Sequence, residues 1–146
     1  EPHDFYAIVV WKSNRAKTRV RAGLRVAGES VDSLMRQVSQ APTPAGKIGT
    51  LLQIDGIGLA IASAILTVCY PDRFTILDYR VWNLLQSMSA DGLPARYPCT
   101  PEEYLQYCQA CQALAQRMKT SLRDLDRGLW ARSWELDLLT LIDEGS

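Results

Sequence analysis

The stretch LLQIDGIGLAIASAIL, residues 51–66, combines a glycine-containing turn with the start of an apolar segment. That segment continues to residue 70, and its only polar members are Ser63 and Thr67. A helix that is apolar on every side has no solvated face, so the pattern predicts a buried helix over 59–70 at the centre of the fold. A short helix over 47–53 is predicted to precede the turn.

The two glycines of the turn, Gly56 and Gly58, have two interpretations. Glycine adopts backbone conformations that other residues avoid and lets a second backbone approach closely, which suits a plain connector between helices. The turn also leads into a helix N-terminus, where unpaired amides bind phosphate without a cation. In both interpretations we expect Ile57 to face inward and anchor the turn.

Helical periodicity dominates the remaining chain, and strand patterns are scarce. The segment APTPAG, residues 41–46, is expected to be a loop because two prolines and a glycine do not continue a helix. The sequence Thr-Pro-Glu-Glu at 100–103 predicts a strong helix start. The predicted helices cover about 4–12, 16–27, a segment capped by Ser30 or Asp32, 47–53, 59–70, 79–88, 101–118 and 122–142, the last with a break near Gly128. The pattern predicts one all-α domain of about eight helices over residues 1–146.

Charge is distributed unevenly along the chain, although the formal net charge of the 146 residues is zero. Residues 1–50 contain eight Lys or Arg and four Asp or Glu, whereas residues 51–146 contain eight and twelve. A neutral total can therefore conceal a basic face suited to a polyanion. No apolar run reaches the roughly 18 residues of a membrane span, so no membrane partner is expected.

The four cysteines are expected to be free, buried or half-buried thiols. Cys108 and Cys111 lie side by side on a helix, but a single Cys-x-x-Cys pair without a second pair or a nearby histidine is weak support for zinc. Free thiols fit a reducing cytoplasm, which is the predicted location. His3 is the only histidine and lies near the terminus, so histidine catalysis and a metal site are not expected.

The segment 51–85 resembles the core of the helix–hairpin–helix DNA glycosylase superfamily, in the endonuclease III and adenine-mismatch glycosylase group. That family carries Leu-Pro-Gly-Val/Ile-Gly, a buried helix, and then Val-Asp or Leu-Asp before the next helix. The positions that match are Gly56, Ile57, Gly58, Ala62 and, in Ile76-Leu77-Asp78, the aspartate. Ile54 and Asp55 replace the Leu-Pro of the family. The resemblance implies an orthogonal helical domain that binds double-stranded DNA, and the amides of Gly56, Ile57 and Gly58 are the expected phosphate ligands.

By this resemblance Asp78 is the essential catalytic carboxylate, which stabilises positive charge on the sugar or orients a nucleophile. An aspartate before a helix is also an ordinary N-cap, and both roles remain open. Ala60 occupies the position of the lysine that bifunctional members use, and alanine cannot form a Schiff base. The iron–sulfur cysteines of endonuclease III are absent, so no cofactor is expected, although the resemblance allows a monovalent cation at the hairpin.

The stretch WKSNRAKTRVRAGLR, residues 11–25, holds six of the sixteen Lys and Arg residues. Such a strip could neutralise phosphates, or it could be a solvated helix face. The proposed DNA-binding side chains in it are Lys12, Asn14, Arg15, Lys17, Arg19 and Arg21. By the resemblance, Asn14 or Arg15 would insert into the base stack.

A flipped base enters a pocket and stacks on aromatic side chains. Trp11, Tyr79 and Trp82 are candidate walls, although each could equally pack in the core. Farther along, Arg123, Asp126, Arg127 and Trp130 suggest a belt of packing and ion pairs, and no chemistry requires them.

The sequence thus favours a DNA-binding base-excision-repair-type protein that acts as a monofunctional DNA N-glycosylase through Asp78. Two alternatives stay open. One is a non-catalytic helix–hairpin–helix relative that only binds DNA, and the other is a helical protein-interaction domain whose Gly-Ile-Gly is a connector. The oligomeric state is left open.

Overall fold

The computed structural model describes residues 1–144, and over that range the chain forms eight α-helices and no strand. The prediction of an all-α fold is confirmed. The helices are α1 (Pro2–Lys12), α2 (Ala16–Ala27), α3 (Val31–Gln40), α4 (Pro44–Leu52), α5 (Leu59–Cys69), α6 (Tyr79–Ser87), α7 (Pro101–Arg117) and α8 (Leu122–Glu144). Among the described residues, no helix is both long enough and apolar enough to cross a membrane.

Helix α4 begins three residues before its predicted start, so the segment 41–46 is a loop only in part. The Thr43 hydroxyl accepts the Gly46 N–H at 3.0 Å and caps the helix. Pro44 occupies the first helical position, where the N–H that proline lacks would have no partner within the helix. The prediction of a loop over 41–46 is wrong in part, because Pro44 does not end a helix but stands at the start of α4.

The predicted break at Gly128 is also wrong, because α8 continues through that residue. A glycine inside a helix costs about 1 kcal/mol relative to alanine. Leu125 and Leu129, on either side, are buried against the rest of the protein. Their burial favours the helix enough to offset the cost of the glycine.

A single hydrophobic cluster joins buried residues from all eight helices. Helix α5 lies inside it, since residues 61–67 are all buried, and it packs against α1 and α4. The expected central helix is therefore present, although its last turn is solvated, with Val68 61% exposed. Two fully buried tyrosines, Tyr104 and Tyr107, extend from α7 into the same cluster.

Candidate functional site: a cleft at Asp78

The residues before Asp78 form an extended, buried segment, 74–77, that is fastened to two helices. The Ser63 hydroxyl of α5 accepts the Leu77 N–H at 2.9 Å and donates to the Ala60 carbonyl at 2.6 Å. The Tyr104 hydroxyl of α7 donates to the Thr75 carbonyl at 2.9 Å. These bonds fasten the residues before Asp78 to α5 at Ser63 and to α7 at Tyr104, and so fix the start of α6.

Both carboxylate oxygens of Asp78 have partners. One accepts the Arg80 N–H at 2.8 Å, so Asp78 is the N-cap of α6. The other accepts a hydrogen bond from the Lys12 ammonium at 3.3 Å. The two side chains are 24% and 13% exposed, so the pair is half-buried and still reaches solvent.

A cleft of about 430 Å³ opens over this pair. That volume lies within the range of ordinary ligand pockets. Exposed tryptophans flank it, Trp11 on α1 at 66% and Trp130 on α8 at 48% exposure. The lining side chains are Trp11, Lys12, Ile76, Asp78, Arg123, Asp126, Arg127 and Trp130.

A larger groove of about 640 Å³ runs between α6, α7 and α8. Asp124 and Arg132 are its only charged lining residues, and the others are mostly apolar. The smaller cleft brings two carboxylates and three cationic side chains together. Since convergent titratable groups mark sites of chemistry better than volume does, we assign the candidate site to the cleft at Asp78.

Asp126 is the second carboxylate of the cleft and is only 7% exposed. It pairs with Arg123, one turn earlier on α8. Burial raises the pKa of Asp126, and the negative charge of Asp78 acts in the same direction. Arg123 and Lys12 oppose that shift in pKa without reversing it.

The turn of residues 53–58, called the GIG turn here, depends on Gly56. This glycine has φ +93°, a left-handed conformation, and a Cβ on it would lie 2.7 Å from the Val20 backbone nitrogen of α2. Gly58 has φ −86° and open space around it, so its conformation is ordinary. The conformational freedom of glycine is therefore used at Gly56 and not at Gly58.

Ile57 faces inward as expected, with 4% exposure. Its amide donates to the Ile54 carbonyl at 3.0 Å and so is already occupied within the turn. The amides suited to an anion are instead those of the first turn of α5, which follows the N-cap residue Gly58 and has no side-chain cap. Helices α3, α4, α6 and α7 have such a cap, from Ser30, Thr43, Asp78 and Thr100, whereas α1 and α2, like α5, have none.

Helix α2 lies directly against the GIG turn. A Cβ on Gly23 would come within 2.2 Å of the Asp55 carbonyl oxygen, so only glycine fits there. The Arg19 guanidinium binds both carboxylate oxygens of Asp55, at 2.8 and 3.1 Å. Asp55, which stands where the family has proline, therefore ties the turn to α2.

The basic strip of residues 12–25 divides into separate groups. Lys12 points into the cleft and Arg19 is paired with Asp55, so neither is a freely placed phosphate ligand. Lys17 and Arg21 line a shallow groove between α1 and α2. Asn14 and Arg15 are exposed in the connection that follows Lys12, and neither lines the cleft.

The three predicted base-pocket aromatics have different environments. Trp11 lines the cleft. Trp82 is 5% exposed and lies in the core with its ring centroid 6.2 Å from that of Tyr107, so it is not a wall of this cleft. Tyr79 is 62% exposed, stands 5.1 Å from the Tyr97 ring, and does not line the cleft.

Sequence reasoning missed the contribution of α8 to the site. Asp126 and Trp130 lie four residues apart, and the spacing does place them on one face of a helix. The spacing does not show that this face of α8 lines the same cleft as Asp78 and Lys12. An aspartate between apolar neighbours on the inward side of α8 was the one available signal.

None of the four cysteines lines the cleft. Cys108 and Cys111 are buried on α7, and burial raises the pKa of Cys111 to about 12. Cys69 and Cys99 are exposed, contrary to expectation. Within residues 1–144, no group of three or more His, Cys, Asp or Glu side chains is arranged to hold a metal ion.

No protein-family model, curated protein or solved structure matches this chain. The residues of the cleft and of the GIG turn are therefore the basis on which a function can be assigned.

Proposed function

We propose that the protein is a helix–hairpin–helix DNA glycosylase-type enzyme, which binds duplex DNA and hydrolyses an N-glycosidic bond at Asp78. The observation that carries the proposal is the cleft itself. A half-buried carboxylate lies at its base, and two exposed tryptophans flank its mouth. A base turned out of the duplex needs such an aromatic-walled space with a charged group beside its sugar.

The uncapped start of α5 supports DNA binding next to that cleft. Its amides and the positive end of the helix dipole suit a backbone phosphate. Ser63, in the second turn of α5, is bonded to Leu77, the residue before Asp78, so the N-terminal half of α5 lies beside the segment that carries Asp78. Arg15, Lys17 and Arg21 are exposed on or next to α2, the helix that packs against the GIG turn, and supply cationic side chains on that helix.

The reaction is a hydrolysis in which the bond between the sugar C1′ and the base breaks as positive charge develops on the sugar. The Asp78 carboxylate stabilises that charge, and water attacks C1′. Lys12 holds the carboxylate in position through its 3.3 Å hydrogen bond. Because Ala60 has no amine, the reaction ends at an abasic site without strand cleavage through that position.

The test is single-turnover excision from a panel of duplexes, each with one damaged or mismatched base. We expect release of at least one base, and we expect Asp78→Asn to slow it by about 100-fold or more. Asp72→Asn is the matched control, because Asp72 is exposed and does not line the cleft. Excision that survives Asp78→Asn would exclude this carboxylate as the catalytic group.

One observation favours a second candidate, a non-catalytic DNA binder of the same kind. Both oxygens of Asp78 are already bonded, one to the Arg80 amide and one to Lys12. A carboxylate committed to capping and pairing would support the fold rather than the chemistry. Tight binding to abasic-site duplex without excision of any base in the panel would identify this candidate.

A further inference from the structure

Helix α8 extends beyond the body of the protein at its C-terminal end. Among the residues that the structure describes, Ser133 is the last buried one, and every side chain from residue 134 to residue 144 is exposed. We call residues 134–144 the α8 tail. Its large apolar side chains are Trp134, Leu136, Leu138, Leu139, Leu141 and Ile142. Exposed apolar side chains grouped in this way mark a docking surface.

The groove of about 640 Å³ between α6, α7 and α8 adjoins this tail, because Leu136 lines it. Met88 and Met118 also line the groove, and both are more than half exposed. Its α8 wall runs from Asp124 to Leu136, which is about 18 Å, and the α8 tail is about 15 Å long. The chain's own tail cannot enter the groove, since α8 is one continuous helix. The groove therefore has the length and the apolar lining to hold the tail of another chain.

Gly128 lies in the α8 wall of the groove, where a single chain does not require glycine. An added Cβ would meet nothing within 4 Å, and the residue lies within the helix. Glycine destabilises a helix relative to alanine, but it lets a second backbone approach closely. Gly128, Arg132 and Leu136 follow at four-residue intervals and share one face, which Leu139 and Asp143 extend into the tail. This face is suited to close contact with a second helix.

The charge of the α8 tail selects among the possible occupants of the groove. The tail has no Lys or Arg, and its acidic residues are Glu135, Asp137, Asp143 and Glu144. That charge disfavours nucleic acid and an anionic membrane as its partner. The groove has Arg132 in its wall, and the exposed Lys119 adjoins the lining residue Met118. Asp124 also lines the groove, but Arg127 pairs with it at 3.5 Å. A helix antiparallel to α8 would direct its acidic end towards both cations.

We propose that two copies of this chain form a two-fold symmetric dimer, in which the α8 tail of each copy occupies the groove of the other. In an antiparallel pair centred on Leu136, Leu139 of one copy lies between Arg132 and Leu136 of the second copy. Arg132 pairs with Glu135 in its own chain, and its five N–H donors leave some for Asp143 of the second copy. The groove and the cleft at Asp78 share no lining residue, so each copy keeps its own cleft.

Sedimentation velocity of the full chain, from about 1 to about 500 µM, tests the pairing. We expect the mass to rise with concentration from that of one chain to that of two. Leu139→Asp places a charge in the apolar contact and should weaken the dimer by about tenfold or more. Gly128→Leu has room within a single chain and should weaken the dimer as well. Leu138→Asp is the matched control, because Leu138 is two residues from Leu136 and lies on the opposite side of the helix. It should change the dimer affinity by less than about threefold.

An exchange of charges tests whether the partner is a second copy. Arg132→Glu and Asp143→Lys should each weaken self-association by about tenfold, because each brings like charges together at two symmetric positions. An equimolar mixture of these two variants should dimerise like the wild type, since both positions then join opposite charges. The proposal is overturned by a wild type that stays a single chain at the highest concentration, by growth beyond two chains, or by a mixture that stays monomeric. Equal weakening by Leu138→Asp and Leu139→Asp would also overturn it.

Discussion

Gly56 lies at one of two close approaches between the GIG turn and α2, the other being at Gly23. Its left-handed φ of +93° and the 2.7 Å that would separate an added Cβ from the Val20 nitrogen both require glycine. Gly58, two residues on, meets neither constraint. The two glycines thus have different roles. Gly56 is required sterically, whereas Gly58 only leaves the start of α5 without a side-chain cap.

Gly56→Ala should lower the free energy of unfolding by about 2–4 kcal/mol, from the left-handed conformation and the overlap with α2 together. Gly58→Ala should cost about 1 kcal/mol or less, since the residue has ordinary dihedrals and free space. Urea denaturation of both variants measures the difference. Equal losses would show that the contact between the turn and α2 is not as tight as described.

Ser63 is the residue that couples α5 to the segment before Asp78. It is fully buried, and Ser63→Ala would leave the Leu77 N–H without its acceptor. We expect a loss of about 2 kcal/mol in unfolding free energy, because a buried donor loses its partner. Ser87→Ala, which removes an exposed hydroxyl bonded to the Leu84 carbonyl, should change stability by less than about 0.5 kcal/mol. Similar losses in the two variants would contradict the coupling.

At the scale of the helices, α7 shows how a local sequence pattern fixes an element. Thr100 and Glu103 form a capping box, as the sequence predicted. The Glu103 carboxylate accepts the Cys99 N–H at 2.8 Å and is also bonded by the Cys99 thiol and by Arg96. These interactions, the Cys99 N–H first, lower the pKa of Glu103 to about 2.

The lowered pKa of Glu103 predicts a pH dependence with a defined sign. A folded pKa of about 2 against an ordinary 4.5 means that Glu103 contributes stability above pH 4.5 and loses it as pH falls towards 2. The stability difference between wild type and Glu103→Gln should be constant above about pH 5 and should shrink in that acid range. Glu102→Gln, at the exposed neighbour, is the control. Denaturant titrations from pH 7 to 2 measure this, and a difference that does not change with pH would contradict the account.

Residue type and spacing along the chain predicted most of the helices. They did not predict helix bounds that depend on packing against the rest of the protein. The caps at Ser30 and Thr100 could be read from residue type and spacing alone. The start of α4 was not predictable in this way, because Pro44 can either follow the end of one helix or begin the next, and here it begins α4. The passage of α8 through Gly128 depends on Leu125 and Leu129 being buried, which no local pattern states.

The site as a whole could not be assembled from sequence, because it joins residues far apart in the chain. The segment 51–85 contains Asp78 and the GIG turn, and their spacing predicts that both belong to one glycosylase-like site. Three helices, α1, α6 and α8, must converge to form the cleft. Only then does Lys12 pair with Asp78, and only then does Asp126 line the same cleft. Trp82 shows the same dependence, since only the packed structure separates a core aromatic from a pocket wall.

For the molecule as a whole, the central claim is that duplex DNA binds at the uncapped start of α5. The most direct test is the equilibrium binding of an abasic-site duplex over a range of salt concentrations. The affinity should fall with salt, with a slope in log–log form of roughly −0.9 per phosphate neutralised. Gly58→Glu adds a negative charge in open space at that helix end and should weaken binding by about tenfold or more, whereas Gly128→Glu, at an exposed glycine of α8, should not. Failure of the wild type to bind at low salt, or equal affinity in the wild type and Gly58→Glu, would contradict the account.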